Sequence, residues 1–198
     1  YLFSFLSLAS SLNVRHLDAS VAENGYRLAK SMIQDSTVCR SLQEIGYEVM
    51  VIESIITDPS KCADRRISNT VNNLESVFLR TTLALPFSDQ IFWGQPTYED
   101  HLIRIQALKD MPNIEGPTFT FAHFILPHSP YVFDAEGNQI YSNPPIGSSL
   151  EHDAYLGQLI PTNTLFEDAV SHILAESEVP PIIIIQADHG PLWTQEHD

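Results

Sequence analysis

Ile182-Ile183-Ile184-Ile185-Gln186-Ala187 runs directly into Asp188-His189-Gly190. A carboxylate and an imidazole side by side at the end of an apolar run are a ligand pair for a cation such as zinc or manganese. A Lewis acid held there would polarise a phosphoryl or sulfuryl oxygen. A second apolar run also ends on a histidine: Thr118 to Leu126, TFTFAHFIL, passes through Pro127 to His128-Ser129-Pro130-Tyr131. If both runs are parallel strands, both imidazoles emerge on one edge of the sheet, where the ligands of open α/β sheets collect. Taken singly, a histidine in a proline turn is an ordinary surface residue and Asp-His-Gly an ordinary cap and turn. The shared position favours a site.

The elements that must carry these groups follow from periodicity. Four consecutive isoleucines are β-branched and apolar on both faces, which suits a central parallel strand covered by helices on each side. Ser4 to Leu12 reads as a helix with small residues at close contacts. Apolar residues from Tyr26 to Ile45 recur at helical spacing, with Asp35-Ser36 as a break and new cap and Gly46 as a C′ residue. Tyr47 to Ile52 is then a short strand. Thr57 to Arg66 reads as a loop, Val71 to Leu85 as a helix, and Leu102, Ile105 and Leu108 mark another after Tyr98-Glu99-Asp100. Asp134 to Asn138 is a surface turn. Tyr155 to Leu174 forms a helix that Pro161 should kink or divide, with Thr164 and Glu167 as a capping box for its second part. The order strand, long crossover, strand is what a parallel sheet requires. The fold class expected is therefore α/β, a mostly parallel central sheet with helices on both faces, in one domain spanning residues 1–198.

The chain has 198 residues, 43% hydrophobic and 18% charged, enough for one domain with a real core. It starts on Tyr1 and stops eight residues after Gly190, so it reads as a fragment cut at both ends. Net charge is −15, from 25 acids against 10 Lys plus Arg, with no basic run, which argues against nucleic acid as a partner. An anionic substrate would need a bound cation or a concentration of the 8 histidines to offset that field. Cys39 and Cys62 fit no zinc spacing. Two unpaired buried thiols are expected, with a single disulfide as the alternative. No apolar stretch approaches the roughly 20 residues of a membrane span.

The strand-end motifs Asp188-His189-Gly190 and Pro127-His128-Ser129-Pro130-Tyr131, with an intervening helix of the form Asn163-x-Leu165 to Ile173-Leu174, resemble the sulfatase-like branch of the alkaline phosphatase superfamily. Its membrane-anchored phosphoethanolamine and phosphoglycerol transferases are the nearest in pattern. The resemblance implies an alkaline phosphatase-like fold and a metal-dependent hydrolase or transferase acting on phosphate or sulfate esters. Asp188 and His189 match the paired metal ligands, and His128 matches a histidine that contacts the substrate's phosphate or sulfate. Ser4, near the start of a helix with Ser7 three residues on, matches the nucleophile, which is also a metal ligand. The implied cofactor is a divalent metal, zinc first, with manganese, magnesium or calcium as alternatives. The full-length protein would be membrane-anchored with its catalytic domain outside the cytoplasm. The alternative for Ser4 is a small residue packed in a helix.

Departures from the pattern separate the chain from true sulfatases. Phe5-Leu6-Ser7-Leu8 lacks the Pro and Arg that accompany conversion of the nucleophile to an aldehyde, and Ser54-Ile55-Ile56 stands where Lys-Trp-His is expected. A sulfatase or phosphodiesterase using water as acceptor, or a non-catalytic protein retaining the fold, are the rival expectations. His123 reads as a satisfied core histidine, with support of His128 as its sharper role. His16, His101, His152 and His172 read as surface residues, and Glu53 as a loop acid. The spacing of His197 does not match a phosphate-binding histidine well.

Overall fold

In the computed structural model of the chain, residues 3–17, 19–52, 54, 61–67 and 97–190 are described. The first element is α1, Ser4–Leu12, which buries Leu8, Ala9 and Leu12. Those side chains pack against Ala29 and Ile33 of α2, Ala19–Gln34, which is kinked at Gly25. Asn13 ties the helices together. Its Nδ2 donates to Ala9 O (2.9 Å) and Met32 O (3.0 Å), and its Oδ1 accepts from Thr37 N at 3.0 Å. The break expected at Asp35-Ser36 is where α3, Thr37–Glu44, begins. Ser36 is its N-cap and accepts from Cys39 N. Gly46 follows the C-cap Ile45 with φ +91, a backbone that favours glycine, and so turns the chain into the sheet.

The sheet is three-stranded and parallel, in the order β2-β1-β3. Strand β1, Glu48–Ile52, pairs on one side with β2, Arg65–Ile67, and on the other with β3, Thr118–Ala122. Alternation sends Val49 and Val51 to one face, where they form a core with Cys39 and Cys62 against Phe119 and Phe121. Phe121 also meets the α1/α2 core. Met50 and Ile52 point the other way and are equally buried. Helix α4, Tyr98–Lys109, packs against β1 and starts in a capping box between Thr97 and Asp100. Asp64 fastens the β2 side: its Oδ2 accepts from Val49 N at 2.8 Å. That bond, aided by Gln43, holds its carboxyl below the usual range.

Beyond β3, a hairpin of β4, Tyr131–Phe133, and β5, Gln139–Ser142, turns through Asp134, whose carboxylate accepts from Glu136 N and Asn138 N. Helix α5, Ser149–Glu176, packs against β4 and α4, with Lys109 and Asp168 paired at 2.8 Å. Mixed helix and strand around a small parallel sheet is thus the architecture observed.

Several expectations are corrected. The isoleucine run is not a strand: residues 181–187 join no ladder, and Ile182, Ile184 and Ile185 are 93%, 80% and 68% exposed. High β-propensity does not make a strand without a partner edge, and Pro180-Pro181 brings no N–H to open one. Residues 65 and 66, expected in a loop, form β2. Pro161 does not divide α5, and Thr164 caps nothing; its hydroxyl donates back to Ile160 O. Cys39 and Cys62 are not free thiols but a disulfide joining α3 to the segment before β2. His101 is not on the surface but 3% exposed on α4. The helix expected over 71–85, Glu53 and His197 lie outside the described residues.

Candidate functional site

Register locates the site. Ile52 of β1 stands beside Ala122 of β3, so the two strands end level at the carboxyl edge. Ser54 follows β1 and His123 follows β3, and they meet there: Ser54 Oγ lies 2.6 Å from His123 Nδ1. Ser54 is buried. Burial pushes the His123 imidazole below its ordinary value. The Asp188 carboxylate opposes that shift, while Arg104 and His189 add to it, so the Asp188-His189 pair lies within electrostatic reach.

Ser4 stands at the first turn of α1, where the helix's free N–H groups leave partial positive charge. Its Oγ is 3.1 Å from His189 Nε2, a contact across 185 residues of chain. On the other side of the ring, His189 Nδ1 faces Gly190 O at 2.8 Å, so Nδ1 carries the proton and donates. In the neutral ring Nε2 then offers a lone pair, toward which Ser4 donates its hydroxyl proton. Asp188 Oδ2 is 3.6 Å from the same nitrogen, and Asp188 Oδ1 accepts from His189 N at 2.9 Å, which orients the carboxylate. A hydroxyl and a carboxylate oxygen thus lie 3.1 and 3.6 Å from one imidazole nitrogen, three potential ligand atoms in all.

A divalent cation fits this donor chemistry in part. Metal-binding histidines typically donate their second ring N–H to a carbonyl, as His189 does to Gly190. A zinc site takes four ligands, and the three atoms here are one short. Among the described residues no group of three or more His, Cys, Asp or Glu side chains could hold a metal.

Of the residues singled out from sequence, Ser4, Asp188 and His189 come together and His128 does not join them through any described contact. His128 is exposed, between cis Leu126–Pro127 and cis Ser129–Pro130. Its Nδ1 donates to Ser129 O at 2.6 Å, and its Nε2 makes no hydrogen bond among the described residues. His123 belongs with Ser54, Asp188 and His189 rather than in support of His128. Ser54 and Arg104 were not foreseen. A strand-end position was the available signal for Ser54; Arg104, 2% exposed on α4, offered none, because a buried guanidinium is not predicted by helical periodicity. The chain matches no family model, no curated protein and no solved structure.

Proposed function

We propose that this chain is the catalytic part of a metal-dependent hydrolase or transferase acting on phosphate or sulfate esters through a covalent intermediate on Ser4. The single observation that carries the reading is the approach of Ser4 Oγ to the lone pair of His189 Nε2, 3.1 Å away, with Asp188 beside it. A hydroxyl oxygen, an imidazole lone pair and a carboxylate lie close together, and the ring is oriented by the Gly190 carbonyl, so that Ser4 Oγ and His189 Nε2 could ligate one cation.

Ser4, Asp188 and His189 would hold the cation, which when bound supplies charge to lower the hydroxyl pKa and to offset the substrate's oxyanions. Ser4 Oγ, its proton given up to solvent, attacks phosphorus or sulfur, a new ester bond forms to Ser4, and the bond to the leaving alcohol breaks. The departing alkoxide takes a proton from solvent. Water or an acceptor alcohol then displaces Ser4 and restores its hydroxyl. His128 faces the incoming anion: Ser129 O already accepts from its Nδ1, so in the imidazolium form Nε2–H is left for a phosphoryl or sulfuryl oxygen. His123, whose pKa burial lowers and whose Nδ1 is bonded to Ser54, lines the same edge.

The finer fold belongs to the same proposal, the three parallel strands being part of an alkaline phosphatase-like sheet. A location outside the cytoplasm, on a membrane anchor in the full-length protein, draws support from the Cys39–Cys62 disulfide, since disulfides persist in oxidising compartments. No helix among the described residues is long and apolar enough to cross a membrane.

The test is metal analysis together with turnover of p-nitrophenyl phosphate, its diester and p-nitrophenyl sulfate. Wild type should carry a divalent metal that Asp188→Ala lacks, and Ser4→Ala should lose turnover while keeping its fold. Full activity after chelation would instead make His189 the general base of a metal-free Ser4–His189 dyad, a reading that the same short contact favours. Full activity of Ser4→Ala would remove both.

A further inference from the structure

A buried side chain outside the site reaches the turn that carries His128. Gln158 lies on α5 with 0% exposure. Its Oε1 accepts from Val132 N at 2.7 Å and Phe133 N at 3.1 Å, so one oxygen satisfies two amides of β4. Its Nε2 donates to the carbonyl of His128 at 3.2 Å. One turn on, Thr162 Oγ1 donates to the backbone carbonyl of Gln158 at 2.7 Å. An uncharged group with one acceptor and one donor is needed here, which an amide supplies at any pH. A leucine would leave three backbone groups without their partner, and a glutamate would keep the acceptor but present a second oxygen to the His128 carbonyl.

We propose that Gln158 is a positioning residue for the His128 turn. By fixing the peptide plane of His128 it sets the direction of the imidazole, and through it the way the site receives the anionic end of an ester. The peptide plane and the Cβ direction share one pair of dihedrals, so a carbonyl fixed by a buried amide limits where Nε2 can lie. Among the described residues the turn is also fastened by His128 N donating to Ile125 O (2.7 Å), by the ring's contact with Ser129 O, and by the longer approach of Ser129 Oγ to His128 Nδ1 at 3.5 Å. The inference rests on the role given to His128 above.

Gln158→Glu, studied at a pH where the introduced carboxyl is ionised, separates the two halves of the contact, since it then retains the clamp on Val132 and Phe133 and removes the donor to His128. In the full chain it should shift the imidazole resonances of His128 and raise KM for p-nitrophenyl phosphate roughly three- to tenfold, the weight of one hydrogen bond, with kcat within about twofold. In a His128→Ala background the same substitution should add nothing to KM. Wild type supplies a measurement untouched by any folding defect. The Gln158 side-chain amide should exchange slowly with solvent and show a through-bond coupling to the His128 carbonyl carbon. Fast exchange of that amide, unmoved His128 resonances in Gln158→Glu, or a KM effect that persists undiminished without His128 would each overturn the proposal. A wild type that turns over none of the esters removes the reading of His128 as a substrate contact, and the exchange and resonance measurements still decide whether Gln158 sets the turn.

Discussion

Acid should destabilise this protein through His101, a residue away from the proposed chemistry. Its ring is 3% exposed, lies 6.2 Å from the ring of Phe133, and has no hydrogen-bond partner for Nδ1 among the described residues. Burial, with Arg104 one turn away adding to it and Asp100 partly opposing, pushes its pKa down to about 4 from 6.5. The unfolded chain therefore takes up this proton at a higher pH than the folded one does. The stability linked to His101 is full above pH 6.5 and is lost as pH falls from there through about 4. At pH 5 the unfolded ring has gained its proton and the folded ring has not. The gap of roughly 1.5 pH units, at 1.36 kcal/mol each, amounts to about 2 kcal/mol. The assay is urea unfolding at pH 7.5 and 5.0 for wild type and His101→Gln, which cannot titrate. Carboxylates and the depressed His123 contribute to both proteins and cancel in the difference. Wild type should lose about 2 kcal/mol more than the variant between the two pH values, or about 4–8 °C in Tm for a chain of this size. Equal losses, within about 0.5 kcal/mol, would refute the assignment of a neutral, desolvated imidazole at this position.

Reduction of the Cys39–Cys62 disulfide, or its replacement by paired serines, reopens a loop with a sequence separation of 23. Chain entropy for a loop of that length predicts a loss of about 3 kcal/mol, read as a lower urea midpoint in dithiothreitol, and an unchanged midpoint would show that the thiols are not paired. Phe133→Ala removes a ring that is 2% exposed and packed on Tyr98 at a centroid distance of 4.8 Å. It should destabilise the chain by about 3–5 kcal/mol in the same assay, and a loss under about 1 kcal/mol would mean that β4 is not a core strand.

Local signals in the sequence located the elements whose formation depends on neighbours in the chain. Ser36 caps α3 because its hydroxyl reaches an amide three residues on, and Gly46 ends the helix because the turn needs a positive φ. Both conditions are visible in a window of a few residues. Strands β1 and β3 were legible for a related reason: each is a short β-branched run bounded by breakers, and both found a partner. The isoleucine run satisfies the same local rule and yet stays out of the ladder, because pairing is decided by an edge elsewhere in the fold. The burial of His101 and Arg104 is likewise a tertiary outcome, since the amphipathic pattern of α4 assigns polar residues to solvent. Cys39 and Cys62 pair across two elements, which spacing alone cannot settle.

The candidate site divides along the same line, and the division is instructive about what can be derived. Once β1 and β3 are known to be parallel and in register from Glu48↔Thr118 to Ile52↔Ala122, Ser54 and His123 are expected at one carboxyl edge, one residue out of step, and the hydrogen bond between them is what the fold adds. Ser54 seemed only a departure from a family pattern. In the fold it is the hydrogen-bond partner of the half-buried His123 imidazole. The approach of Ser4 to His189 has no such derivation, because α1 and the segment before Gly190 share no strand register. What joins them is chemistry: His189 turns its Nδ1–H to Gly190 O, which leaves its lone pair facing the one hydroxyl at the start of α1. In a chain of net charge −15, an anionic substrate must find its countercharge locally. The edge where Ser4, His123, Asp188 and His189 gather is where a bound cation would supply it.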